Sequence, residues 1–142
     1  MELDDWWDWT DWELLLQADL GSIPNGPGAY MIAARKSINR AYGKDVEGIL
    51  DVGESGNLRD RIKAFIACAK GSRRSGHMAG WRFHRFKFDS KFPLNSLYIS
   101  WHTATTKKEA YRLEEQILES YLEQHSELPP LNYKYNWASY NG

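Results

Sequence analysis

The chain has 142 residues, 42% of them hydrophobic, with seven Trp, eight Tyr and five Phe, which suits one core and one compact domain. No run reaches the roughly 18 apolar residues of a membrane span, and the chain opens with acids and tryptophans where a signal peptide has a basic and then an apolar stretch; a soluble, cytoplasmic protein with no membrane partner is expected. The one cysteine, Cys68, excludes an internal disulfide and has no Cys or His at metal-site spacing, so it reads as a small buried thiol. A formal net charge of −1 conceals a division along the chain: residues 1–20 hold seven acids and no Lys or Arg, whereas residues 59–91 hold ten Lys or Arg against Asp60 and Asp89. Such a basic stretch is the electrostatic footprint that phosphate backbones require, because neutralised phosphates release counterions. An ordinary solvated face has the same composition, and charge alone does not choose between them.

In chain order, residues 1–20 form an acidic segment in which Trp6, Trp9 and Trp12 recur at every third position, set apart from a single domain over residues 21–142. The segment reads as an amphipathic helix docked on the domain, a surface for a protein partner, or an acidic cover over the basic groove. The turn-rich Pro24 to Gly28 leads into a buried strand, Tyr30 to Ala34, and Gly48 to Val52 is a second short strand ending in a glycine turn at Gly53. Asn57 then stands as an N-cap, and Leu58, Ile62, Phe65 and Ala69 repeat at helical spacing until Gly71. Gly71 to Gly80 is a basic loop, and Trp81 to Phe88 alternates rings with cations. There bases could stack while cations hold a backbone, or the rings form an extra strand or flap over the core. Leu97, Ile99 and Trp101 mark a third strand. Thr106 to Glu109 is a capping box that opens a helix running to about Gln124, ended by Pro129 and Pro130.

Three polar residues stand out against these elements. At about 100° per residue, Glu114 lands within the stripe of Ala110, Leu113, Ile117, Leu118 and Tyr121, while Glu115, Glu119 and Glu123 point away. A carboxylate withdrawn from water needs a cation, a proton or a partner, so Glu114 is either half of a buried ion pair or a metal ligand. Arg61 borders the apolar stripe of its helix, whereas Arg59 and Lys63 project to the other side. Its guanidinium either stabilises phosphate charge as a fork of donors or forms a salt bridge to Asp51 or Glu114. Tyr30 follows a glycine turn at the start of a strand, as a core aromatic or as a phenol that becomes a base once cations lower its pKa.

Gly28-Ala29-Tyr30, the stretch Asp51-Val52-Gly53 with Gly53 to Arg61 after it, Ala110 to Glu114, and Pro130-Leu131-Asn132 together resemble the GIY-YIG nuclease superfamily over roughly residues 24–135. The resemblance implies an α+β fold, a small three-stranded antiparallel sheet flanked by helices. It implies metal-dependent hydrolysis of nucleic-acid phosphodiesters, with DNA as the expected partner and Mg²⁺ or Mn²⁺ as cofactor. By position it makes Tyr30 the group that directs or deprotonates water, Arg61 the catalytic arginine, Glu114 the metal ligand and Asn132 an organiser of the nearby backbone.

Asp51 departs from the pattern, since the second motif carries a tyrosine there. The carboxylate either adds a metal or water contact or repels the scissile phosphate, and the second case gives the alternative function: a weak or inactive module that binds nucleic acid or a protein. His77 is a further candidate base, acid or phosphate contact. Arg59, Lys63, Arg73, Arg74, Arg82 and Arg85 are the expected nucleic-acid contacts.

Overall fold

The computed structural model describes residues 8–132. Its elements are β1 (Glu13–Leu14), β2 (Gly28–Ala33), β3 (Ile38–Asn39), β4 (Lys44–Asp45), β5 (Ile49–Ser55), α1 (Leu58–Ala69), α2 (Met78–Arg85), β6 (Tyr98–Thr103) and α3 (Lys107–His125). The class is α+β, as expected. The sheet, however, has four strands in the order β1-β6-β2-β5, every pairing antiparallel, where three were expected; β3 and β4 form a separate two-stranded ribbon.

The fourth strand comes from the acidic segment. Glu13 and Leu14 pair with Ile99 and Tyr98. Just upstream, Thr10 exchanges hydrogen bonds with Trp101 and accepts one from the Ser100 hydroxyl. Trp9 and Leu15 are buried on opposite faces of the sheet. The described part of this segment is therefore docked on the domain as a strand, not a helix, and the boundary at residue 20 is crossed by sheet hydrogen bonds. Trp6 and the first acids lie outside the described residues.

All six residues of β2 are buried because both faces of the sheet are covered. Tyr30 and Ile32 face α1 and α2, with Leu58, Ile62, Phe65 and Phe83, while Ala29, Met31 and Ala33 face α3, with Ile117, Leu118 and Tyr121. The helices start where side chains cap them: the Asn57 side-chain oxygen accepts from the Asp60 N–H and the Thr106 hydroxyl from the Glu109 N–H. The carboxylate of Glu109 turns to the Thr105 hydroxyl instead of completing the box. α3 stops before the prolines, at Ser126 in the left-handed region with φ 59°.

Two further expectations change. Gly53 does not turn the chain; β5 runs through it to Ser55. A Cβ at Gly53 would lie 2.4 Å from the ring of Tyr30, so glycine is required there by the close approach of that ring. The ring-and-cation run Trp81 to Phe88 is not a strand. Most of it is α2, capped by His77, with Ala79 and Phe83 turned inward and Arg85 and Phe86 exposed.

Candidate active site

The β5 edge of the sheet opens into a cleft of about 160 Å³ between the α1–α2 side and α3, and Tyr30, Asp51, Arg61, His77, Glu114 and Asn132 all line it. Every residue expected to act in catalysis is thus brought to one place.

Tyr30 forms the floor. It is 1% exposed, so it sits below the rim and not on it. Its hydroxyl donates to Asp51 Oδ2 at 2.8 Å and lies 2.7 Å from His77 Nε2. Gly80 N–H donates to His77 Nδ1 at 3.1 Å, which leaves Nδ1 without a proton and assigns the imidazole proton to Nε2. The chain of donation therefore runs from His77 Nε2–H to the Tyr30 oxygen and from Tyr30 O–H to Asp51. Burial, helped by Arg61, pushes the His77 pKa down to about 3, so the ring is neutral. Burial drives the Tyr30 pKa well above its ordinary value, and the charge and hydrogen bond of Asp51 add to it. Arg61 pulls the other way, as expected, but is outweighed. Asp51 rises to about 6 through burial, opposed by the Tyr30 hydrogen bond and by Arg61 and Arg82.

Arg61 forms no salt bridge with Asp51 or Glu114. Its Nη1 donates to the Gly76 carbonyl at 2.7 Å, so the loop before α2 holds the guanidinium beside the cleft. Asn132 works as a strand fragment: its side-chain oxygen accepts from Val52 N–H at 2.9 Å and its amide donates to Val52 O at 2.8 Å, while Leu131 N–H donates to Leu50 O. It fixes the backbone on either side of Asp51 and presents no loose polar group of its own.

Glu114 is the outlier. It is 9% exposed, and among the described residues no donor or cation lies within hydrogen-bonding or ion-pair distance of its carboxylate. Burial pushes its pKa up to about 8, with the negative charges of Glu54 and Asp51 adding to the effect against Lys107 and Arg61. The ion-pair reading is thereby set aside. Glu54 is held by Lys107, whose Nζ reaches its two oxygens at 3.0 and 2.7 Å. That pair was missed in the sequence, although Lys107, Tyr111 and Glu114 share one helical face.

No group of three or more His, Cys, Asp or Glu side chains with metal-site geometry occurs among the described residues. Mg²⁺ does not require one, since it keeps several waters and binds through one or two carboxylates together with substrate phosphates. A buried, unpartnered carboxylate fits that mode of binding.

Around the cleft, the expected nucleic-acid contacts divide. Arg59 points its guanidinium at the Ile23 and Gly21 carbonyls, at 2.8 and 2.9 Å, and so ties down the loop before β2. Lys63, Arg73, Arg74 and Arg85 are exposed. Arg73, Arg74 and Arg85 line a hollow of about 400 Å³ with Trp81 and His84. Arg82 acts on Asp51 itself.

Comparison with family models, curated proteins and solved structures gave no match. The resemblance to the GIY-YIG superfamily accordingly rests on the quoted motifs alone.

Proposed function

We propose that the protein is a metal-dependent endonuclease that hydrolyses phosphodiester bonds of nucleic acid, DNA being the substrate class favoured by the resemblance. The observation that carries this is the carboxylate of Glu114, buried without a partner in the same cleft as Tyr30 and Arg61. Among the described residues no donor in the core serves that carboxylate, and burial holds it protonated up to about pH 8; the ionised form, unfavourable by several kcal/mol when buried alone, is what a cation entering the cleft would stabilise. Mg²⁺ or Mn²⁺ on Glu114 would supply charge stabilisation at the phosphate and the leaving oxygen. The remaining work falls to the chain itself. Arg61, anchored by Gly76, offers its remaining N–H donors to phosphate oxygens as negative charge develops on them. Tyr30 orients the attacking water from the floor of the cleft. Lys63, Arg73, Arg74 and Arg85 meet phosphates on either side of the scissile one.

A second reading, a nucleic-acid-binding module without cleavage, is favoured by the high pKa of Tyr30, which opposes its action as a lone base. Incubation with plasmid, single-stranded DNA and RNA, each with Mg²⁺, Mn²⁺ or chelator, separates the two. Cleavage should require the metal. Glu114→Ala should abolish it while binding persists, and Glu115→Ala should be nearly silent. Metal-independent cleavage, or equal loss in both variants, overturns the assignment of Glu114; binding without cleavage on every substrate selects the module.

A further inference from the structure

The donation pattern around Tyr30 gives Asp51 a role that neither the resemblance nor composition assigns to it. We infer that Asp51 is the terminal proton acceptor of the reaction, receiving the proton of Tyr30 as Tyr30 receives that of the attacking water. This rests on the nuclease reading of the same cleft.

Three features of the geometry carry it. First, the Tyr30 hydroxyl proton is already directed at Asp51 Oδ2 across 2.8 Å, within reach for transfer in one step. Second, His77 cannot be the acceptor. Its Nδ1 lone pair is engaged by Gly80 N–H and its Nε2 carries the proton that points at the Tyr30 oxygen, so the ring donates toward Tyr30 and takes nothing from it. Third, Asp51 sits on the β5 backbone that Asn132 brackets at Val52, so its carboxylate is held in register with Tyr30 by the Tyr30–Gly53 and Ile32–Asp51 pairing of β2 with β5.

Water, placed against the third position of the Tyr30 oxygen, loses a proton to that oxygen as its own oxygen bonds to phosphorus. The Tyr30 proton passes to Asp51 Oδ2. The phosphorus–oxygen bond to the leaving group breaks, and the departing alkoxide takes a proton from solvent. Tyr30 ends as a neutral phenol and never accumulates as phenolate, which reconciles its raised pKa with a part in catalysis. His77 keeps its proton throughout and acts as a positioning residue. The carboxylate in the place of the superfamily's tyrosine is on this account a replacement base, not a lesion.

The test uses the full chain with Mg²⁺ on the substrate that the wild type cleaves. Asp51→Asn keeps size and a hydrogen-bond acceptor but removes basicity, so kcat should fall by about 10²- to 10⁴-fold with KM and nucleic-acid affinity within about 3-fold. Asp51→Glu should recover part of the lost kcat, and the Tyr30→Phe, Asp51→Asn double variant should be no slower than the worse single one, because the two residues serve one proton path. Asp51→Tyr, which restores the superfamily residue, should also be slow. Activity of Asp51→Asn within about 5-fold of wild type, a Glu variant no better than Asn, or additive losses in the double variant would each overturn the relay while leaving the nuclease reading intact. A wild type that cleaves no nucleic acid overturns that reading, and the relay falls with it.

Discussion

Two buried carboxylates lie against the α3 layer, and their surroundings differ in kind. Asp45, at the ribbon end, is 5% exposed and its oxygens accept from the N–H groups of Glu47, Gly48 and Ile49 and from the Tyr121 hydroxyl, at 2.8 to 3.0 Å. Glu114, at the cleft end, is similarly buried and meets none of this among the described residues. Burial of an acid is thus not by itself the mark of a site. Asp45 closes a turn and ties it to α3, using protein donors for every role its charge has. Glu114 has no such donors, so burial raises its pKa to about 8 and its carboxyl group faces the cleft mostly protonated at neutral pH.

The sharpest way to break this contrast is to remove each carboxylate in turn. Asp45→Ala takes the acceptor from the Glu47 and Ile49 N–H groups and the Tyr121 hydroxyl and leaves Gly48 N–H only its bond to the Asp45 carbonyl, so it should lower the unfolding free energy by about 3 kcal/mol or more, read by urea titration, with cleavage retained at temperatures where the variant is folded. Glu114→Gln should do the reverse: no loss of stability and no cleavage. Comparable destabilisation by both would show that Glu114 has a structural partner after all.

A smaller effect sharpens the same point through pH. The folded-state pKa of Glu114 is raised from its ordinary 4.5 to about 8, so between those values the native protein holds a proton that the unfolded chain releases. Its contribution to stability is therefore full below about pH 4.5 and is lost as pH rises toward 8. Glu114→Gln should match wild type near pH 4 and exceed it by about 4 kcal/mol at pH 8, and Mg²⁺ should raise the Tm of the wild type at pH 8 but not that of the variant.

The contrast also shows which parts of the molecule its sequence discloses. Glu114 was conspicuous because a 3.6-residue period places it among apolar neighbours, and Asn57 and Thr106 because capping is a local matter of one side chain and a backbone N–H two or three residues on. Asp45 went unremarked, since its four donors come from a turn and from a tyrosine 76 positions away. β1 is two residues long and has no periodicity to read. α2 was hidden because its rings alternate with cations at a period of two, while the helix is set by His77 as its cap and by packing of Ala79 and Phe83 beneath it. Of the two readings of Tyr30, a core aromatic or a phenol activated by cations, depth of burial decides the net direction of its pKa. Cations near a phenol are visible in sequence, but its depth of burial and the orientation of Asp51 toward it are not.

The smallest expected effect separates the two ends of the molecule by their response to salt. Arg73 and Arg74 are exposed beside the Trp81 hollow in the loop before α2, the same loop whose Gly76 carbonyl holds Arg61, whereas Lys44 is an equally exposed cation in the ribbon at the Asp45 end. If nucleic acid lies along the cleft side, each phosphate contact there adds one released counterion, and losing one contact should reduce the slope of log affinity against log salt by about 1. Arg73→Gln and Arg74→Gln should therefore each weaken binding several-fold at low salt, with little dependence on base sequence, and converge on wild type as salt rises. Lys44→Gln should leave both slope and affinity unchanged. Binding isotherms at four salt concentrations decide it: equal slopes for all three variants would place the nucleic acid elsewhere on the surface, and a reduced slope for Lys44→Gln alone would move it to the end where the buried carboxylate already has its partners.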